Sequence, residues 1–125
     1  MDVGCGTNAW LRDLRRSGCI PSDAVLHASD IDAGVFGGFD RKDIYGGDSH
    51  VSFFALDVLQ PFLDGQRSLH RPKSEIRRGT YDVVHARLLV YALGDGEEWD
   101  RAIGHMKTLL SECNGVDSKA GRLRR

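Results

Sequence analysis

Short apolar runs alternate along the chain with segments whose apolar residues recur at helical spacing. Apolar stripes at this spacing predict a first helix over 9–17 and a longer helix over 97–113. Near-continuous apolar runs are typical of strands that are covered on both faces, as parallel strands are. Such runs predict strands at the following positions: a stub at 1–3, then 24–29, 51–56 and 81–85. The alternation predicts an α/β fold, with a Rossmann-like and mainly parallel sheet of about four strands flanked by helices.

The segments between these elements are mostly polar. We expect a short helix over 33–39 followed by a charged loop, and a small helix or turn within 86–93. The basic stretch 65–79 is interpreted as a solvated connection, because its apolar content is too low for a core; a basic partner site is the alternative. The end of the chain has no strand pattern. We therefore expect one domain over 1–113 and a polar, basic, disordered tail over 114–125.

The composition argues against several classes of protein. With 125 residues, of which 41% are hydrophobic, the chain is long enough for one domain with a core. Its formal net charge of -1 gives no electrostatic case for binding nucleic acid or an anionic membrane. No apolar run approaches the roughly 20 residues that cross a bilayer, and no apolar signal segment begins the chain. We expect an intracellular protein of the cytoplasm, with the nucleus as an alternative.

The cysteines and histidines are scattered along the sequence. Cys5, Cys19 and Cys113 lack the spacing of a metal site, and the five histidines are equally dispersed. The odd number of separated cysteines predicts reduced thiols. No metal is therefore expected.

A glycine-rich turn follows the first strand, in the sequence Asp2-Val3-Gly4-Cys5-Gly6-Thr7. Glycines in a strand-to-helix turn let the backbone approach a nucleotide-like ligand, although an isolated match is as often a simple tight turn. Asp30 ends the next strand and can accept hydrogen bonds from both ribose hydroxyls; Asp32 competes for this role and would also suit a helix cap. Asp57 ends the third strand and can accept from an adenine amine, or form a turn before Pro61.

The turn also discriminates between classes of nucleotide. A dinucleotide site presents backbone amides and a helix N-terminus to a pyrophosphate. Here Asp2 makes the turn acidic, and Ala9 stands where the third glycine of the dinucleotide pattern would fall. An acidic turn suits a ligand with a positive sulfonium or ammonium group better than a phosphate. A dinucleotide-dependent Rossmann oxidoreductase remains the alternative enzyme class.

Four stretches, in this order and spacing, resemble the motifs of class I S-adenosylmethionine-dependent methyltransferases. They are the segment 2–14, Ser29-Asp30-Ile31-Asp32, Leu56-Asp57-Val58-Leu59 and Tyr81-Asp82-Val83-Val84-His85-Ala86-Arg87-Leu88-Leu89. The fourth stretch is most similar to fungal methyltransferases associated with secondary metabolism. The resemblance covers residues 1 to about 112.

The resemblance implies a domain that binds S-adenosylmethionine and transfers a methyl group to a small-molecule acceptor. It implies cofactor contacts from Asp2, Gly4, Gly6, Asp30, Asp57, Val58 and His85. Gly4 and Gly6 would surround the methionine part of the cofactor. Asp30 would contact the ribose and Asp57 the adenine. His85 would border the active-site mouth and is the one candidate by location for a general base, with a structural role beside the sheet as its alternative.

The sequence departs from the family pattern in two respects. Asn8 replaces a glycine of the family, although asparagine tolerates left-handed geometry better than most residues. The helices that usually precede the first motif are absent, and so are the glycine-rich turn and fifth strand that follow the last helix. We therefore expect a domain truncated at both ends, whose unpaired sheet edges would favour self-association. A non-catalytic remnant that binds cofactor or a partner is the alternative to an active enzyme, a question that the residues leave open.

Overall fold

The computed structural model describes residues 1–32, 51–69, 73–87, 89, 92–112, 116–117 and 122–123. Its helices and strands are β1 (Asp2–Val3), α1 (Ala9–Arg16), β2 (Leu26–Asp30), β3 (Val51–Ala55), β4 (His85–Ala86), α2 (Gly96–Lys107), β5 (Val116–Asp117) and β6 (Arg122–Leu123). The predictions that lie outside the described residues are the helix over 33–39 and the charged loop after it. Of the helical turn predicted within 86–93, positions 88, 90 and 91 also lie outside them.

The first four strands form one parallel sheet in the order β3-β2-β1-β4. The chain passes from β1 through β2 to β3 on one side, whereas β4 pairs with β1 on the other side. The strand order therefore reverses at β1, and the carboxyl ends of β1 and β4 flank a topological switch point. The predicted α/β, Rossmann-like fold with a parallel sheet is confirmed, as is the short first strand.

The sheet is buried on both faces, as the continuous apolar runs predicted. On one face, α1 contributes Leu11, which packs with Ala28 and Phe53. On the other face, Val3 and Phe54 pack with Leu109, which follows α2. Ala28 pairs with Phe53 in register, and the residues that follow each of them point to the opposite face because strand side chains alternate.

The ends of the elements differ from the sequence prediction. The fourth strand is confined to His85–Ala86, and Tyr81 instead forms an isolated parallel bridge with Leu110. The last helix ends at Lys107 because the chain beyond it turns to meet Tyr81. There the Tyr81 amide donates to the Leu109 carbonyl at 3.0 Å, and the Ser111 amide donates to the Tyr81 carbonyl at 2.9 Å.

The stretch 65–79 is more than a solvated connection. Ile76 is completely buried in the core, and Ser68 is 3% exposed. Arg67 and Glu75 form an antiparallel bridge, which folds the segment back on itself and carries Ile76 inward. Two isolated apolar residues, Leu69 and Ile76, give no periodic signal in a polar stretch, so the sequence did not predict this burial.

At the end of the chain, Val116–Asp117 pairs antiparallel with Arg122–Leu123, where the sequence has no strand pattern. The domain boundaries over 1–113 and 114–125 stay a prediction. Among the described residues, no helix combines the length and the apolar character needed to cross a membrane.

Candidate functional site

The glycine-rich turn leaves β1 at the switch point and leads into α1. Gly4 has a φ of 70° and Gly6 a φ of 53°, a left-handed geometry that glycine adopts without steric cost. A Cβ at Gly4 would lie 2.9 Å from Leu89 Cδ2, whereas a Cβ at Gly6 would meet no atom within 4 Å. The turn is therefore closed by packing at Gly4 and open to an approaching ligand at Gly6.

Asn8 ends the turn and caps α1 in the left-handed region, with a φ of 64°. Its side chain makes no capping hydrogen bond, and its Oδ1 is buried without a hydrogen-bond partner. Glycine adopts this left-handed geometry without steric cost, whereas asparagine carries a Cβ that is strained there. Asparagine is accommodated here with one polar atom unsatisfied, which carries a cost in stability.

Asp30 braces the turn from the end of β2. The Gly6 amide donates to Asp30 Oδ2 at 3.0 Å, and the Asp32 amide donates to Asp30 Oδ1 at 3.1 Å. The Cys5 amide also donates to the Ser29 carbonyl at 2.9 Å. The structure thus brings Asp30 and the glycine turn together, as their positions at strand ends predicted. Each carboxylate oxygen has a second lone pair with which to accept from a ligand hydroxyl.

Asp57 and Val58 follow β3 at the same edge of the sheet. Asp57 Oδ1 accepts from the Leu59 amide at 2.9 Å, so this side chain forms the turn that was the alternative to an adenine contact. Val58 packs against the core group that contains Phe54 and Leu109, and also against a smaller buried group formed by Leu89, Leu93 and Ala102. Its carbonyl is 2.8 Å from His105 Nδ1. Their predicted contacts with a cofactor stay predictions.

Asp2 and His85 form a pair that crosses the β1–β4 ladder. The two residues are direct partners in the register, and Asp2 Oδ1 lies 2.9 Å from His85 Nδ1. Asp2 is 2% exposed, and burial raises the pKa of its carboxyl group, although the hydrogen bond from His85 opposes the shift. When Asp2 is ionised and the His85 ring is neutral, this hydrogen bond requires the ring proton on Nδ1, and Nε2 is then an acceptor.

Trp10 holds the His85 ring from the side of α1. The two rings are stacked with centroids 3.8 Å apart and an angle of 8° between their planes. His85 is thereby fixed by a carboxylate at one ring atom and by an aromatic plane on its face. The sequence suggested His85 by its position after a strand but gave no signal for either contact.

Cys5 lies inside the turn but is not poised as a nucleophile. Burial raises the pKa of its thiol, and the carboxylates of Asp2 and Asp30 raise it further. The thiol therefore stays protonated at neutral pH and does not react as a thiolate. Across the described residues, no cluster of three or more side chains is suited to hold a metal ion.

A second polar cluster lies near the amino ends of the strands, and the sequence analysis missed it. His27 Nδ1 is 2.6 Å from the Tyr81 hydroxyl, and His27 Nε2 is 2.8 Å from Ser74 Oγ. Burial lowers the pKa of His27 to about 4, so the ring is neutral at pH 7. The three residues come from separate segments with no common motif, and only the folded chain brings them together.

The glycine turn lies at the carboxyl ends of the strands, and the His27 cluster lies at their amino ends. A cavity of about 1000 Å³ adjoins the His27 cluster, and its lining includes Leu11, Leu14 and Val83. None of Gly4, Gly6 and Asp30 lines this cavity. The volume therefore gives no support to the cofactor site, which rests on the turn and its carboxylates.

Comparisons with protein-family models, with curated proteins and with solved structures gave no match. The case for a function therefore rests on the motifs and on the geometry described above.

Proposed function

We propose that this chain is an S-adenosylmethionine-binding domain of the methyltransferase type that acts on a small-molecule acceptor. The observation that carries the proposal is the closure of the glycine turn by Asp30 beside the switch point. The Gly6 amide and the carboxylate are 3.0 Å apart, so one element offers an open backbone approach and hydrogen-bond acceptors for ribose hydroxyls.

The residues present fit the charge of this cofactor. Asp2 and Asp30 both lie beside the turn, and both contribute negative potential that acts on the Cys5 thiol inside it. A cationic sulfonium is attracted to such a site, whereas a pyrophosphate is repelled. This charge pattern favours S-adenosylmethionine over a nicotinamide dinucleotide.

When bound, the cofactor would supply a sulfonium-bound methyl group, which passes in line to the acceptor atom as the carbon–sulfur bond breaks and a neutral thioether leaves. The chain would contribute chiefly by positioning, through Gly4, Gly6 and Asp30. His85 Nε2 would accept the proton of an acceptor that carries one, while Asp2 orients the ring through Nδ1. Acceptors without a proton would need no base.

The test is isothermal titration of the purified chain with S-adenosylmethionine, with S-adenosylhomocysteine and with a nicotinamide dinucleotide. We expect saturable heat with the first two ligands and none with the dinucleotide. Asp30→Asn should weaken binding about tenfold, because a charge-assisted hydrogen bond is worth more than a neutral one. Asp32→Asn is the matched control at the same strand end and should bind within about twofold of the unmodified chain.

Other outcomes would overturn the proposal. Heat with the dinucleotide alone would establish the oxidoreductase alternative. A folded chain that binds none of the three ligands would exclude the cofactor site. Saturable binding without methyl transfer to any acceptor in a chemically diverse panel would identify a non-catalytic remnant.

A further inference from the structure

Arg87 brings a positive charge to the β4 side of the glycine turn. It lies one residue beyond β4, and its side chain is exposed. Its carbonyl oxygen lies 4.0 Å from the place that a Cβ at Gly4 would take. Strand side chains alternate, so the position after Ala86 falls on the same face as His85. Arg87 therefore stands beside the turn, on the face that carries the Asp2–His85 pair.

The charge of Arg87 acts within this site. Burial raises the pKa of the Asp2 carboxyl group, and the positive charge of Arg87 is one of the influences that oppose the shift. Within the part of the chain that the structure describes, no carboxylate lies within ion-pair distance of the Arg87 guanidinium. A guanidinium presents its N–H donors as a planar fork, which matches the two oxygens of a carboxylate. Arg87 can therefore bind an anionic ligand group without giving up an ion pair among the described residues.

The topology separates Arg87 from the expected cofactor contacts. Asp30 ends β2 and Asp57 follows β3, and both strands lie on one side of β1. His85 and Arg87 lie on β4 and just beyond it, on the other side of β1. In the proposed function, His85 is the residue that faces the acceptor. A ligand group bound by Arg87 would therefore belong to the acceptor.

We propose that Arg87 selects an acceptor that carries a carboxylate group, and that it binds this group apart from the atom that receives the methyl group. The inference rests on the proposed function and adds a substrate class to it. The charges of the site are then complementary to both ligands. The carboxylates beside the turn attract the sulfonium of the cofactor, and the guanidinium on the β4 side attracts the carboxylate of the acceptor. Binding of that carboxylate positions the rest of the acceptor beside His85.

The experiment uses benzoate and benzamide, two probes that have nearly the same shape but differ in charge. Each is titrated into the full chain saturated with S-adenosylhomocysteine, which occupies the turn but has no methyl group to transfer. Nuclear magnetic resonance follows binding through the backbone amides of Gly4, Gly6 and Arg87. Benzoate should bind about fivefold more tightly than benzamide, a modest ratio because water partly screens an exposed ion pair. Equal affinities for the two probes would overturn the proposal.

Two substitutions test whether the preference comes from Arg87. Arg87→Gln should weaken benzoate about fivefold, to the level of benzamide, and should leave benzamide unchanged. Arg16→Gln is the matched control, because it removes the same charge from an exposed arginine at the far end of α1. It should leave both affinities unchanged. Equal benzoate affinities for the two variants would show that the carboxylate does not contact Arg87, which would overturn the proposal.

A second pair of ligands separates the acceptor from the cofactor. S-adenosylhomocysteine carries a carboxylate, whereas methylthioadenosine lacks one. Arg87→Gln should bind both ligands as the unmodified chain does. A loss of affinity for S-adenosylhomocysteine alone would show that Arg87 binds the carboxylate of the cofactor, and would overturn the assignment to the acceptor.

Failure of the proposed function gives a different result. In that case S-adenosylhomocysteine does not bind to the unmodified chain, and benzoate and benzamide are titrated without it. A fivefold preference for benzoate that Arg87→Gln removes would support a carboxylate site at Arg87 by itself. No preference would overturn that site as well.

Discussion

Asp2 Oδ1 and His85 Nδ1 lie 2.9 Å apart, although 83 positions separate the two residues in the chain. Their strands are neighbours in the sheet, and the pair stands beside the glycine turn at the point where the strand order reverses. This relationship couples a buried carboxylate to a ring that Trp10 holds in place. The stability of the fold and the protonation of the candidate site therefore depend on the same two side chains.

His85→Phe should lower the free energy of unfolding by about 2 kcal/mol, because it leaves the buried Asp2 carboxylate without its histidine partner. Phenylalanine keeps an aromatic ring for Trp10 to stack on. In the double variant with Asp2→Asn, most of this loss should disappear, since no buried charge remains. Urea denaturation of the four proteins in the cycle measures the coupling. Additive losses would show that the hydrogen bond contributes nothing to stability.

Alanine substitutions at three left-handed glycines should separate strain from ligand access. Gly6→Ala and Gly18→Ala should each cost about 1–2 kcal/mol of stability, because both residues have positive φ and open space around the added Cβ. Gly4→Ala should cost more, since its Cβ would also press on Leu89. Thermal denaturation of the three variants measures whether Gly4→Ala loses the most stability.

Ligand titration of the same variants supplies the second readout. Gly6→Ala should weaken S-adenosylmethionine binding at least about tenfold, because the added methyl group occupies the open approach to the turn. Gly18→Ala, which lies at the other end of α1, should bind as the unmodified chain does. Equal affinities for these two variants would contradict a ligand site at the turn.

The sequence predicted those parts of the structure that are encoded locally. The parallel sheet followed from continuous apolar runs, and the meeting of Asp30 with the Gly6 amide followed from their places at adjacent strand ends. The burial of Ile76 could not be predicted, because Ile76 and Leu69 are isolated in a polar stretch and show no periodicity.

Contacts between distant segments could likewise not be predicted from the sequence. The hydrogen bonds that His27 makes with Ser74 and Tyr81 span 47 and 54 positions and follow no motif. The end of α2 at Lys107 depends on the bridge between Tyr81 and Leu110, which the apolar stripe along that helix could not reveal.

Asn8→Gly should stabilise the protein by about 1 kcal/mol, which corresponds to a rise of about 4 °C in melting temperature. Glycine adopts the left-handed geometry without steric cost, and the substitution removes the buried Oδ1 that has no hydrogen-bond partner. Asn8→Ala is the matched control, because it removes the same oxygen but retains the strain. A melting temperature for Asn8→Gly at or below that of Asn8→Ala would contradict this account of the cap.

His27 should make the protein less stable in mild acid. Burial lowers the pKa of its ring from 6.5 to about 4, so the folded state binds a proton less readily than the unfolded chain does. Above about pH 6.5 the ring is neutral in both states and this loss of stability is absent. As the pH falls from 6.5 towards 4, the unfolded chain takes up the proton first, and the free energy of unfolding decreases. The full decrease is about 3 kcal/mol, since each pKa unit is worth roughly 1.4 kcal/mol. Urea denaturation between pH 4 and 7.5 measures the slope.

The controls separate His27 from the other groups that titrate in this range, among them the Met1 amine. His27→Gln cannot be protonated, so its stability should vary less between pH 4 and 6.5, whatever its absolute value. His105→Gln should keep the slope of the unmodified chain, because it leaves His27 with Tyr81 and Ser74 unchanged. The difference in pH dependence between His27→Gln and His105→Gln therefore measures the effect of protonating His27 on stability. If His27→Gln retained the full acid sensitivity, the destabilising proton would bind elsewhere in the folded protein.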